Sequence, residues 1–496
     1  MTEKKVFFRI EAIVLLCAVL FANTAAEALL HIRPLRIRDA GSPKWVPGEI
    51  VVKFRQGVTS RQVEEINRRH GVCVLYTSHF GGFKRLKIPA GKTPHEIVAA
   101  YSQSAEVLYA ELNYYAHAMF IPNDPYYYLQ WNFNTPSAGI GIEQAWDITT
   151  GDPNVIVAVL DTGVAYETYK AFEIAPDLVN TLFVAGYDFV GGDTHANDDD
   201  GHGTHVTGTI AQSTNNNLGV AGAAFNCSIM PVKVLNKRGE APYTTIAEGI
   251  YYAANNGADI INMSLGGPSD ASTLRDAVAY AWSLGITIVC SGGNEFQYGN
   301  PPSYPAAYDD YCIAVAATRF DRTRAPYSNT GSYIDIAAPG GDLDLDQNGD
   351  GYGDGILQQT FGLNPKDWGY WFYVGTSMAA PHVTATAALL HSTGITDVNM
   401  VRAALLNTAV DIGPAGWDEQ FGWGFLNPYG ALNYINIPGD FNGDGSVNYR
   451  DLAEFAAYWL GSEESIDIAP PAQGDGIINF LDFSIMADNW LLQVMP

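Results

Sequence analysis

Three short stretches carry the residue types that make a nucleophile work. The apolar run Val157-Ala158-Val159-Leu160 ends abruptly in Asp161-Thr162-Gly163. Asp200-Gly201-His202-Gly203-Thr204-His205 follows, and later Gly375-Thr376-Ser377-Met378-Ala379. A serine hydroxyl is a weak nucleophile. It needs a base within hydrogen-bond reach and a carboxylate to orient that base. Taken singly, each stretch has a plainer reading: a turn-capping Asp, a packing His, an N-cap Ser. Together, Asp then His then Ser, each beside glycines that let backbones approach, is one of the chain orders in which such triads occur. Ser377 also opens an apolar helical stretch running to about His391, so helix N-terminal N–H groups would face a developing oxyanion.

The elements that must position these residues are legible around them. From about Tyr126 to Leu432, short β-branched runs alternate with Ala- and Gly-rich helical stretches. Strands are expected at 155–160, 227–232, 259–263, 286–290 and 312–316, and helices at 244–256 and 271–284. Near-continuous apolar strands alternating with helices predict an α/β domain, a mainly parallel sheet covered on both faces. Sites in such folds lie beyond the carboxyl ends of the strands. Asp161 stands at one such end.

Over about 120–436 the sequence resembles the subtilisin-like serine proteases, and all three motifs match nearly residue for residue. The resemblance implies a three-layer α/β/α subtilisin-like catalytic domain. It implies Asp161 as orienting carboxylate, His202 as general base and acid, and Ser377 as nucleophile. His205 and His382 are then structural. Ser291-Gly292-Gly293-Asn294-Glu295 resembles the family's oxyanion segment, which makes Asn294 a donor to the tetrahedral oxyanion. Met263-Ser264-Leu265-Gly266-Gly267 looks like its substrate-pairing segment. Ser264, Leu265 and Gly266 would form one wall of the pocket for the residue before the cut. Ser291, Gly292 and Gly293 would form the other. Glycine-lined walls suggest a large apolar or aromatic side chain there.

Upstream, residues 45–115 read as a small α+β unit of ferredoxin-like size, with order β-α-β-α-β and an extra strand near 72–77. Thr93-Pro94-His95-Glu96 opens its second helix. It resembles the intramolecular chaperone and inhibitor of these enzymes, cut between Tyr115 and Ile121 by self-cleavage. The start of the chain reads as an export signal. Lys4, Lys5 and Arg9 precede an apolar run from Ile13 to Ala22 and a small-x-small site at Ala26-Glu27-Ala28. The expected division is 1–28 signal peptide, 29–118 prodomain, 119–436 peptidase domain and 437–496 repeat module. The product would be secreted and monomeric.

Charge follows the same division. The 496 residues carry a net charge of −26, which disfavours nucleic acid or an anionic membrane as partner. Up to Ala118 there are 16 Lys and Arg against 10 Asp and Glu; beyond it there are 11 against 43. A basic prodomain would be attracted to an acidic enzyme. Five cysteines do not make a disulfide framework.

Much of the acid lies in loops with oxygen-rich spacing suited to Ca²⁺. By resemblance to the thermophilic branch of the family, one site would use Asp124, Asp177 and Asn216 side chains and the Ser213, Leu218 and Val220 carbonyls. A second would use Asp188, Asp193 and Asn197, with the His195 carbonyl. Asp346, Asn348, Asp350 and Asp354, in a further acidic stretch with EF-hand-like spacing from Asp346, are read as ligands of an insertion that holds its own metal. Position twelve there is Leu357, so the full loop pattern fails.

The C-terminal region repeats itself. Residues 443–460 align without gaps on 474–491 with eight of 18 positions identical, too ordered to be chance. Asp440, Asn442, Asp444, Ser446 (by its carbonyl), Asn448 and Asp451 fill positions 1, 3, 5, 7, 9 and 12 of an EF-type loop. The second copy keeps Asp475, Asn479 and Asp482. This duplicated loop and helix resembles a type I dockerin, which implies a small calcium-binding helical module and a cohesin-like partner. The function expected is a secreted, self-processed, calcium-stabilised serine endopeptidase working through an acyl-enzyme on peptide substrates. The alternative is a catalytically inactive relative used as a binding or scaffold protein.

Overall fold

The structure, a computed structural model, describes residues 45–115, 120–362, 364–434 and isolated positions between 447 and 486. The expected signal peptide, and the repeat's ligands Asp440, Asn442, Asp444, Ser446, Asn448, Asp451, Asp475, Asn479 and Asp482, lie outside the described residues. The chain divides into two compact units at Phe120 and Ile121.

In the first unit, β1 (Trp45–Phe54) is followed by α1 (Ser60–His70), β2 (Cys73–Thr77), β3 (Lys84–Lys87), α2 (Pro94–Ser102) and β4 (Val107–Tyr114). The sheet order is β2-β3-β1-β4, all antiparallel, which is the ferredoxin-like arrangement with the extra strand present. Both helices start on reciprocal caps, Thr59 with Gln62 and Thr93 with Glu96. Each cap satisfies N–H groups the first turn leaves free. Ile50, Val52, Ile66, Leu86, Ile97 and Tyr101 form the core between helices and sheet.

The second unit opens with short helices α3 (Trp131–Asn134) and α4 (Ile142–Trp146) before β5 (Ile156–Asp161). Two-residue strands β6 (Leu182–Phe183) and β7 (Tyr187–Asp188) precede α5 (His202–Ala211). There follow β8 (Ser228–Lys233), α6 (Tyr243–Asn255), β9 (Ile260–Met263), α7 (Ser272–Ser283), β10 (Thr287–Ser291), β11 (Cys312–Thr318) and β12 (Ile336–Pro339). A hairpin, β13 (Ile356–Phe361) with β14 (Trp368–Tyr373), leads to α8 (Thr376–Ser392), α9 (Val398–Asn407) and α10 (Pro428–Leu432).

The large sheet runs β12-β11-β10-β9-β5-β8-β6, with β7 also on β8, and every pairing is parallel. Alternate residues of a strand face opposite sides. Ala158, Leu160, Ile261, Met263, Ile288 and Cys290 pack with Ile246, Ile250, Leu274 and Val278 of α6 and α7. Their neighbours Val157, Val159, Ile260 and Val289 are fully buried too and face the other way. On that side α5 and α8 pack together and against the sheet. This is a three-layer α/β/α fold. All five expected strands form, with ends shifted by one or two residues.

Several elements were not expected from sequence, and two of them bear on the site. One is β12, at the edge of the sheet. The other is the β13–β14 hairpin, which holds buried Gln358, Gln359 and Thr360. Cys73, Cys227, Cys290 and Cys312 are all free thiols. Among the described residues no helix is long and apolar enough to cross a membrane.

Candidate active site

Asp161 ends β5 and is fully buried. Its Oδ1 lies 2.7 Å from Nδ1 of His202 and also accepts the Thr162 N–H at 2.7 Å. His202 is the first residue of α5, with 25% of its side chain exposed. The short contact requires close passage of the first turn of α5 over the end of β5. Gly203 allows it: a Cβ there would stand 2.1 Å from the Gly163 carbonyl and 3.0 Å from Asp161 Cβ. With Nδ1–H donating to Asp161, the lone pair sits on Nε2, toward the cleft. Burial disfavours the imidazolium, but Asp161, by charge and hydrogen bond, outweighs it; Asp198 and Asp200 add to this and raise the His202 pKa to about 9.

Two buried ions that sequence reasoning missed hold this pair in place. Asp198 is the hub. Its Oδ1 accepts from Thr162 Oγ1 at 2.8 Å and from the Asp200 and Gly201 N–H groups. Its Oδ2 accepts from Thr204 N–H at 2.9 Å and Thr204 Oγ1 at 2.6 Å. One carboxylate thus ties the turn after Asp161 to the first turn of the His202 helix. Lys233, at the end of β8 and 3% exposed, donates to the Thr162 carbonyl, to Asp199 Oδ1 at 2.6 Å and to the Leu235 carbonyl at 3.0 Å. A lysine ending the buried run Ser228–Lys233 was the available signal, since an ammonium is almost never buried unless paired.

Ser377 is the second residue of α8. Gly375 before it has φ +148°, a conformation an L side chain rarely adopts. The Ser377 hydroxyl donates to the Ser264 carbonyl at 3.2 Å rather than to His202, and Ser264 Oγ donates back to the Ser377 carbonyl at 2.9 Å. Serine–histidine contacts are often open in an enzyme without substrate and tighten on binding. Asn294 lies three residues beyond β10. Its Oδ1 accepts from Thr376 N–H and Oγ1, both at 2.9 Å, so its NH₂ group is the end left to donate.

Beside Ser377 is a cavity of 290 Å³ lined by Leu265, Gly266, Gly267, Pro268, Ser291, Gly293, Asn294, Glu295, Pro301, Pro302 and Ser303. Four of the six expected wall residues line it. Ser264 instead lines a neighbouring cleft of 530 Å³ with His202 and Leu235. Gly292 is turned away, bonded to the Val315 carbonyl and to Tyr333 Oη. Glu295 and Ser303 were not expected. Glu295 Oε2 accepts from the Asn294 N–H at 2.8 Å, so the cavity carries an acid on its wall.

His205 and His382 are fully buried and lie on carbonyls, His205 Nε2 on Ile356 and Trp371 and His382 Nδ1 on Met378. Burial lowers their pKa values to about 3 and about 4. Both stay neutral and serve packing.

A subtilase family model matches residues 152–424, more than half of the chain. The chain belongs to the subtilase family. Ahead of that match, residues 34–113 match the fervidolysin N-terminal prodomain, and behind it 438–491 match the dockerin type I domain. A thermophilic serine proteinase from Bacillus sp. strain AK1 is 34% identical over 391 residues, 79% of this chain and 88% of that protein. Thermitase from Thermoactinomyces vulgaris is 38% identical over 319 residues, 64% of this chain and 100% of that protein. A solved protease structure from Pseudoalteromonas arctica superposes with TM-score 0.55 at 33% identity, over 63% of this chain and 98% of that one. The subtilase is thus a subtilisin-like serine endopeptidase of the zymogen type with a dockerin behind it.

Subtilases and dockerins are calcium-binding classes, and this subtilase gathers the first expected donor set. Asp124 accepts the Asn215 and Asn216 N–H groups at 2.7 and 3.2 Å. Asp177, fully buried, accepts Asn216 Nδ2 at 2.8 Å and the Val220 N–H at 3.1 Å. Tyr370 of β14 reaches Asp177 at 3.4 Å. Among the described residues no basic side chain pairs with either acid, and burial, with the Asp124 charge adding, raises Asp177 to about 7. Among the described residues no three His, Cys, Asp or Glu side chains form a metal group. Calcium also takes amide and main-chain oxygens, so two carboxylates with Asn216 and nearby carbonyls fit it.

The second set is differently placed. Asp188 and Asp193 pair through their main chains, but Asp188 spends Oδ1 on the Val190 and Gly191 N–H groups. Asn197 turns its NH₂ to Glu167 Oε1 at 3.0 Å, leaving a buried Oδ1 without a partner. Glu167 also takes His195 Nδ1 at 2.8 Å, a contact the sequence did not suggest.

Proposed function

We propose that this subtilase is an exported endopeptidase that cleaves extended polypeptides through an Asp161-His202-Ser377 triad. The Ser377 hydroxyl adds to the substrate carbonyl while His202 Nε2 takes its proton. Asp161 holds the ring and stabilises the imidazolium. The oxyanion is met by the Ser377 N–H and the Asn294 NH₂. Collapse expels the amine, which takes the proton from His202, and leaves an acyl-serine. Water, activated by His202, then hydrolyses the ester and restores Ser377. The single observation that carries this reading is the 2.7 Å contact between His202 and a fully buried Asp161 at the end of β5.

The unit 45–114 acts as inhibitor and folding aid, removed by self-cleavage between Tyr115 and Ile121. Calcium is held by the Asp124, Asp177 and Asn216 side chains with the Ser213, Leu218 and Val220 carbonyls, where it supplies charge compensation for two buried acids. The dockerin region docks the enzyme on a cohesin-like partner.

The test is mass spectrometry of the secreted product with and without Ser377→Ala. Wild type is expected to start beyond residue 115, and the variant to accumulate as the proform. The same processed mass in both would overturn self-cleavage. Loss of ester hydrolysis without any loss of casein hydrolysis would overturn the triad.

A further inference from the structure

Between β12 and β13 the chain makes a detour, residues 340–355, that carries five acids. Its ends are tied to both halves of the catalytic machinery. Gly340 O accepts from the Gly375 N–H at 3.1 Å, and Tyr327 Oη bridges the Gly341 carbonyl and that same N–H, two residues before Ser377. At the other end, the Gly355 carbonyl accepts from Trp131 Nε1 and the Ile356 carbonyl from His205, on the His202 helix. The ends meet where the Asp342 N–H donates to the Asp354 carbonyl at 3.0 Å.

Within the detour Asp346, Asn348, Asp350 and Tyr352 fall at positions one, three, five and seven of a calcium-type loop, with Gly351 at six in a left-handed conformation (φ +91°). Asp346 accepts from Gly349, Asp350 and Gly351 N–H groups. These contacts alone make only a polar turn. The decisive residue is Asp354, at position nine. It is 1% exposed, and Oδ2 accepts the Gln347 N–H at 2.7 Å, so its carboxylate faces back into the loop. Its Oδ1 is buried and has no hydrogen-bond partner. The Arg319 guanidinium pairs with Asp342, at 2.8 Å. A buried carboxylate oxygen left without a donor is costly. Among the described residues no three acids converge on their own, and a cation drawing on the Asn348 amide oxygen and the Tyr352 carbonyl as well as the carboxylates is the partner that would relieve it.

We propose that this detour is a calcium site in its own right, formed by Asp346, Asn348, Asp350, the Tyr352 carbonyl and Asp354, separate from the Asp124–Asp177 set. Asp354 takes the place of the acid that position twelve lacks. Its oxygen forms the buried floor and the exposed Asp346–Asp350 turn closes over the ion. Occupancy fastens the two ends that hold the Ser377 turn and the His202 helix.

The test uses the full chain carrying Ser377→Ala, which suppresses self-digestion. Bound calcium is counted by equilibrium dialysis with and without the added pair Asp346→Asn and Asp350→Asn, both on the exposed turn. The pair is expected to bind one calcium ion fewer per chain and to gain less in Tm on calcium addition, with an unchanged Tm in chelator. Equal calcium counts and equal Tm gains would overturn the site. A lowered Tm in chelator would point to a misfolded turn. Terbium luminescence then decides. Emission in the parent that falls in Tyr352→Leu at an unchanged calcium count, leaving the share sensitised through Tyr370 at the first set, sustains the site. Emission indifferent to Tyr352→Leu overturns it. Asp124→Asn should remove a different ion, so failure here and failure of the first set are distinguishable.

Discussion

At the scale of single residues the site divides into groups that meet the substrate and groups that hold them. Asn294 belongs to the first. Its carbonyl oxygen is fixed by Thr376, so only its NH₂ end is free for charge that develops in the transition state. Asn294→Ala should lower kcat by about a hundred- to a thousandfold with little change in KM. Steady-state kinetics on a peptide anilide checks this; a rise in KM alone would make Asn294 a binding residue. Asp200 belongs to the second group. Its charge helps raise His202 toward about 9, and the base must be neutral to act. The acid limb of kcat/KM should therefore lie above the ordinary imidazole value of 6.5. Asp200→Asn, which removes one negative charge, should move that limb to lower pH. A limb that stays in place would show that Asp161 and Asp198 set it without Asp200. The motifs around Asp161, His202, Ser377 and Asn294 stand out in the sequence because each is dense and local. Asp198 and Lys233 do not stand out. Their partners, Thr162 and Thr204 for one and Thr162 and Asp199 for the other, are set by packing rather than by neighbouring sequence.

At the scale of elements, function rests on how closely the start of α5 passes the end of β5. Gly203→Ala would place a methyl 2.1 Å from the Gly163 carbonyl, so the helix must shift. A displacement near 1 Å costs about a hundredfold in rate, and that is the loss expected in kcat, with the Asp198 contacts strained as well. Activity within a few-fold of wild type would show that the two elements can slide. The strands β5, β8, β9, β10 and β11 could be read because they are buried on both faces and thus nearly continuous in apolar residues. The β13–β14 hairpin could not. Its Ile-Leu-Gln-Gln-Thr-Phe run shows neither alternation nor an apolar block. Two of its polar side chains find partners far away, Gln359 in the Asp177 N–H at 2.7 Å and Thr360 in the Gly201 carbonyl at 2.6 Å. That distant pairing makes the hairpin a brace between the first calcium set and the His202 helix.

At the scale of the whole molecule the large acidic excess becomes a matter of linkage between protons, calcium and stability. Asp177 is raised from 3.8 to about 7, mainly by burial. Without a cation the folded protein keeps this proton up to about 7, whereas the unfolded chain releases it near 3.8. Between those values the native state binds more protons, so stability falls as pH rises. The contribution is fully present below the unfolded value and is lost as pH passes through the folded one. Calcium held as proposed would reverse the sign, because it would bind the carboxylate and compete with the proton. Its stabilisation follows mass action and should be small at about pH 5 and larger at about pH 8. Calorimetry of the Ser377→Ala protein, in calcium and in chelator across that range, measures the gain directly. Asp177→Asn isolates this site from the other calcium loops: it should flatten the pH dependence of the chelated protein and remove the part of the calcium gain that grows with pH. If the gain is flat with pH in the parent, or the slope survives Asp177→Asn, the buried Asp124–Asp177 pair is not where calcium and protons compete, and the acidic surface would have to carry the effect instead.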